Sequence, residues 1–302
     1  MNKKAEKIMG TAFFGPALVL LTLFLFIPMI LTLVFSFTDF FTLDPQATKF
    51  VGLENYTRLF KDELFGKAFL NTIKFAIIVV PLQMGGALLL AMGINKVTHC
   101  KKYFKVAFFI PVVMSLAVVS TLWMQLYNPD GLINTILNNL GIASQPFIHS
   151  KEQALQSISI MSIWQGMGYQ MIIFLGALQA ISPSLYEAAD IDGATGWKKF
   201  RYLTLPLLKP IMLYVLITSA IGGLQMYDIP ALFNVSKSGL IGQPDDSSTT
   251  MAMYIMRLYQ SDVGKAAAVS VFLFILTLII SLIFFGTMTD RSEKKHKKGG
   301  NR

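Results

Sequence analysis

The chain has 302 residues, 54% of them hydrophobic and 14% charged, with a formal net charge of +9. A charged share so far below the roughly 25% of an average soluble domain excludes a water-soluble globular protein and points to a membrane protein. The single cysteine, Cys100, excludes an internal disulfide.

A bilayer-spanning helix needs about 20 apolar residues. Six stretches free of Asp, Glu, Lys and Arg meet or approach that length: Ile8 to Thr38, Phe75 to Asn95, Val106 to Pro129, Gln153 to Tyr186, Pro210 to Tyr227 and Ala266 to Thr289. They predict spans at about 12–37, 72–95, 106–127, 155–180, 209–230 and 266–288. The first follows a basic head (Lys3, Lys4 and Lys7), as a signal peptide would. Its apolar core is far longer than a signal peptide's, and no small-residue cleavage site follows, so it is expected to be retained.

After the first span, Phe50 to Phe69 places Leu53, Tyr56, Phe60 and Leu64 at helical spacing, which predicts an amphipathic helix at the outer interface. Asn128 to Gly141 carries turn signals and then a short apolar helix, and the loop from Asn234 to Thr250 is polar and rich in Gly and Ser. Asn55 and Asn234 stand in glycosylation sequons, too short a match to carry weight.

Between the fourth and fifth runs lies EAADIDGATGWKKFRYLTLPLLKP, Glu187 to Pro210, a charged island between apolar spans. Ser182 and Pro183 are helix-start residues, and Ser184 with Glu187 has capping-box spacing. Gly193 should stop that helix. Thr195 should cap a second short helix that ends before Pro206, since proline interrupts the backbone ladder. Past the last span comes a basic tail, RSEKKHKKGGNR.

Lys and Arg set orientation. With 1–10 and 291–302 on the inner side, most of the lysines and arginines fall inside and most acids outside, so both termini are expected in the cytoplasm. The tail then reads as a solvated end near anionic lipid, not a nucleic-acid arm.

Chemistry of its own is missing. No G-x-x-x-x-G-K-[ST] phosphate loop and no G-x-S-x-G elbow occurs, and His99, His149 and His296 lie too far apart for a metal site. No enzyme activity, catalytic residue, metal or cofactor is expected. Polar groups within or at the ends of spans are the candidates for a solute path, because an amide in hydrocarbon needs a partner or a wet cavity. These are Gln165, Gln170, Gln225 and Asp228, with Tyr169 and Tyr227 nearby, and further Gln125 and Trp164. Amides beside aromatic faces suit a sugar, although polar residues also bond across helix contacts. A stand-alone secondary transporter would usually show repeats and intramembrane charges, and neither is evident.

The charged island closely resembles the EAA signature of membrane subunits in binding-protein-dependent ABC importers: Glu187-Ala188-Ala189, then Gly193, then Leu203, Leu205 and Pro206. Leu203 replaces the usual Ile. Asp192, Ala194, Trp197, Phe200 and Pro210 resemble the carbohydrate-importing branch, as do FVGLENYTRLF, WMQLYNPDGLINTILNNLG, GALQAISPSLYEAA and KAAAVSVFLFILTLIISLI. SGLIGQPDDSS departs from the short Gly-Gly-Pro turn of many relatives.

The resemblance implies an all-α, six-span permease of the type I ABC importer fold, in a bacterial cell membrane. Residues 11–290 would form the membrane domain, and 182–208 a cytoplasmic segment that docks an ATPase. It further implies two ATPase copies, a second homologous permease, an extracytoplasmic solute-binding protein and a carbohydrate substrate. The alternative is the same kind of subunit for a polyol phosphate or another small polar solute.

Overall fold

The computed structural model describes residues 13–40, 48–233, 242 and 244–299, with side chains described as far as 286. The N-terminal segment 1–10, most of the polar loop from Asn234, its sequon, and the side chains of the basic tail lie outside the described residues. Every regular element among the described residues is helical, and the only β pairing is one isolated bridge between Thr38 and Phe50. Two compact units divide the chain: Met1–Phe65 with Tyr254–Ile275, and Gly66–Met253 with Leu276–Arg302.

In the first unit, α1 (Phe13–Phe35) is apolar all round and none of its most hydrophobic stretch is buried, so its side chains are left for lipid or a partner chain. A π-helical turn, Thr22–Phe26, interrupts it just before Pro28. Proline's ring clashes with the carbonyl four residues earlier, here that of Phe24, and the widened turn lies at that point. The carbonyls at the end of α1 are taken up by Asn55 on α2 (Glu54–Phe60): its Nδ2 donates to Ser36 O at 3.0 Å and Thr38 O at 2.7 Å. Asn55 is fully buried, as is Leu59, whereas Leu53 and Phe60 are exposed. The stripe Leu53, Tyr56, Phe60, Leu64 is exposed or half-buried, so the face packed inward is a different one. The helix turns inward the residues that satisfy the end of α1, and a buried Asn55 is no glycan acceptor.

Asp62 caps the next helix, α3 (Glu63–Lys96), through Leu64 N at 2.8 Å. Its other oxygen accepts from the Tyr254 hydroxyl at 2.6 Å and from the Lys265 ammonium. Burial alone would raise the Asp62 carboxyl, but the hydrogen bonds from Lys265, Tyr254 and Leu64 outweigh it and hold the group below its ordinary value of 3.8. Arg58 pairs with Asp262 at 2.8 Å beside it.

The second unit is built round α7 (Ala154–Gln179). The predicted third span, 106–127, is not one helix. α4 (Lys101–Val113) and α5 (Leu116–Leu126) meet at a bend of 98°. Pro111 removes a ladder hydrogen bond, and Met114 and Ser115 are extended, with ψ of 148° and 131°. α4 lies close on α7 because residue 168 is glycine. A Cβ there would overlap the Phe108 carbonyl oxygen and lie 2.9 Å from its carbon. α6 (Leu132–Asn139) is pinned by buried Asn134, which bonds Asn128 O and both the amide and the carbonyl of Gln145.

Two apolar clusters complete the unit. One joins Phe75, Tyr127, Ile158, Met161 and Phe233; the other joins Ala91, Met171, Phe174, Leu178 and Leu208.

Candidate functional site

The charged island folds as a helix-turn-helix. α8 (Pro183–Ile191) starts with proline in its first turn, where the missing N–H costs nothing. Ser182 holds the cap position. Ser184 is inside the helix and its hydroxyl pairs with that of Ser182 at 2.8 Å, so the expected Ser184–Glu187 box does not form. The stop is as expected. Gly193 has φ +71°, its amide donates to Asp190 O at 3.0 Å, and the Ala194 amide donates to Ala189 O at 2.9 Å. These are the two bonds of a Schellman motif, which glycine makes without a Cβ penalty. The Thr195 hydroxyl then accepts from Lys198 N, capping α9 (Gly196–Lys199).

The helical path that α9 begins does not end before Pro206. A π-helical turn, Phe200–Thr204, carries it into α10 (Leu205–Leu224), with Leu205 N donating to Phe200 O. The Pro206 ring would meet the carbonyl of Tyr202, in the middle of that widened turn, and the helix runs on. Tyr186 ties α8 to this turn through the Thr204 hydroxyl at 2.9 Å, and Lys199 pairs with Asp190.

What the segment presents outward is partly charged and partly apolar. Glu187 is exposed, with no hydrogen-bond or ion-pair partner among the described residues. Ala188 and Asp192 are exposed, Ala189, Ala194 and Leu205 half-buried, and Pro206 exposed. Ile191 is 88% exposed, Tyr202 78% and Trp197 70%. Large exposed apolar side chains beside an unpaired carboxylate mark a surface that a partner chain or the membrane covers.

A second cluster sits between α3, α7 and α10. A cavity of about 140 Å³ is bordered by Gln83, Ser162, Gln165, Ser219 and Gly222. Gln165 is half-buried on its wall. Gln170 is buried, and its Nε2 donates to Ser219 Oγ at 2.7 Å while its Oε1 has no partner among the described residues. Tyr169 is half-exposed on α7. Gln225 ends α10, and Tyr227 and Asp228 lie at the start of the short helix α11 (Asp228–Leu232), so these three are not brought to the cavity. Gln83 and Ser219 were missed in the sequence, although Gln83 is an amide inside a charge-free run and meets the same criterion as Gln165. No cationic side chain lines this cavity, and no cluster able to hold a metal occurs among the described residues.

The model of the family described as binding-protein-dependent transport system inner membrane component matches residues 8–295. The chain belongs to this family. As a member it is a multi-pass membrane permease, with five helices able to span, or six when the bent pair α4 and α5 counts as one. The permease is 34% identical over 295 residues to the lactose transport system permease protein LacF of Rhizobium radiobacter, covering 96% of this chain and 97% of that one. It is 33% identical to the arabinooligosaccharides transport system permease protein AraP of Bacillus subtilis, covering 93% and 88%. Among solved structures it shares the fold of a chain of a bacterial alginate ABC transporter, crystallised with an alginate pentasaccharide-bound periplasmic protein. The TM-score is 0.79, with 24% identity and 93% of each chain covered.

Proposed function

We propose that the chain is the permease subunit of a sugar importer and forms half of a transmembrane pathway powered by ATP hydrolysis on a separate subunit. Its segment 182–208 lies in the cytoplasm, as do both termini, and docks one of two ATPase copies. A second, homologous permease completes the path, and an extracytoplasmic binding protein delivers the solute. The observation that carries the coupling role is the outward face of the segment: unpaired Glu187 beside exposed Ile191 and Trp197, held by a Schellman stop at Gly193.

Sugar as the solute is supported by relatives whose names specify lactose and arabinooligosaccharides. It is supported too by an uncharged pathway cluster of Gln83, Gln165 and Ser219, with buried Gln170 behind it and Tyr169 nearby. A phosphorylated polyol would find no cation there to offset its charge.

Glu187→Lys tests the docking. Membrane insertion should be intact, since the change falls on an exposed residue of α8, outside the spans. Uptake should be lost, because a docked pair broken at one partner costs about 2–5 kcal/mol. Uptake at the wild-type rate would overturn the role of Glu187.

A further inference from the structure

Between the last turns of α3 and α7 and the start of α9 opens a cleft of about 380 Å³. Met92, Leu178 and Phe200 make its apolar side, and Asn95, Lys96 and Lys199 stand on its polar side. A third ammonium, that of Lys101, reaches the rim through Asn95, 3.3 Å from its Oδ1. Lys96 has no hydrogen-bond or ion-pair partner among the described residues. Among the described residues the acid paired with this group is Asp190, which bonds Lys199 and is itself 64% exposed. Three ammonium groups thus meet one carboxylate and the carbonyl ends of two helices, each equivalent to about half a negative charge. The balance is positive.

Met92 and Leu178 belong to the last turns of two spans, so the cleft opens where hydrocarbon gives way to headgroups. A cationic rim above an apolar wall, at that depth, matches an anionic amphiphile. We propose that this cleft binds the phosphate group of an anionic phospholipid at Lys96 and Lys199, with acyl carbons against Met92, Leu178 and Phe200. The lipid regulates the segment that the coupling reading assigns to the ATPase, and the proposal rests on that reading for its consequence. Lys199 and Asp190 form the ion pair that bridges α8 and α9 across Gly193. A phosphate that engages Lys199 competes with Asp190 and loosens the angle between the two helices.

The test is native mass spectrometry of the purified full chain, offered equimolar phosphatidylglycerol and phosphatidylcholine. Retention should favour phosphatidylglycerol. The preference should fall about fivefold for each lysine removed in Lys96→Gln and Lys199→Gln, while Lys96→Arg restores it. Lys102→Gln, on the same stretch but not lining the cleft, should leave it unchanged. Equal retention of the two lipids, or a loss in Lys102→Gln as large as in Lys96→Gln, overturns the site in favour of diffuse surface charge. Displacement of the lipid by millimolar glycerol 1-phosphate would show a soluble phosphate ester as the ligand and overturn the lipid. Binding is read on the chain alone, so a failure of ATPase docking leaves the result unmoved, and a failure here leaves the docking reading standing.

Discussion

Gly168→Ala puts the packing of the second unit to a quantitative test. The new Cβ would overlap the Phe108 carbonyl oxygen and sit 2.9 Å from its carbon and 3.0 Å from Val112 Cγ2. Carbon contacts are comfortable at about 3.5–4.0 Å, so α4 and α7 must part by roughly an ångström. The obstacle is backbone and cannot swing aside. A backbone obstacle puts the overpacking at the upper end of its range, about 3 kcal/mol, and alanine regains about 1 kcal/mol of helix propensity, leaving a net loss of about 2 kcal/mol. Gly176 lies on the same helix with nothing within 4 Å of its Cβ position, so Gly176→Ala should gain about 1 kcal/mol. The two variants should differ by about 3 kcal/mol, or about 6–12 °C in the melting midpoint at 2–4 °C per kcal/mol. The assay is thermal unfolding of the purified permease by tryptophan fluorescence, with uptake of the reconstituted importer beside it. Uptake should fall only in Gly168→Ala, because the displaced turn carries Gln165, Tyr169 and Gln170. Equal midpoints and equal uptake would refute the close approach of α4 and α7.

Asp62→Asn strands the Lys265 ammonium, whose side chain is only 12% exposed, and should cost about 2–3 kcal/mol, somewhat less than a fully buried pair. Because the folded Asp62 carboxyl lies below 3.8, its contribution is complete above that value and is lost as pH falls through the folded pKa. Acidification from pH 5 to pH 3 should therefore destabilise the wild type more than Asp62→Asn, and parallel losses would sink the assignment. Gly193→Val forces a β-branched residue to φ +71° at about 1–2 kcal/mol and should lower uptake without preventing insertion. Gly193→Asn, which tolerates that conformation, should keep most of the uptake; if both behave alike, the left-handed stop is not what coupling needs.

At five of the six charge-free runs a helix long enough to span was legible in the sequence, because hydrocarbon admits few charges and such a run can be counted without knowing its neighbours. The same holds for the stop at Gly193 and the cap at Thr195, whose hydrogen bonds are local. What escaped depends on partners far along the chain. Asn55 looks like a surface sequon until Ser36 O and Thr38 O arrive above it. Gly168 is one glycine among 22 until Phe108 lies against it. The bend at Met114–Ser115 had a signal in Pro111, yet Pro81 sits within unbroken α3, so proline alone does not tell a break from a tolerated kink.

Pro206 shows why that difference matters for coupling. Had it ended α9, the segment and the fifth span would meet at a flexible joint, and a push on the segment would be absorbed there. The π-helical turn at Phe200–Thr204 instead keeps the chain helical from Gly196 to Leu224. At 1.5 Å per residue, Lys199 and Ser219 are about 30 Å apart on one rod. Ser219 holds the buried Gln170 and borders the cavity with Gln165 and Gln83. Under the docking reading, a tilt imposed at Gly196–Lys199 is passed toward the polar cluster along one continuous helix, without a break in the chain between.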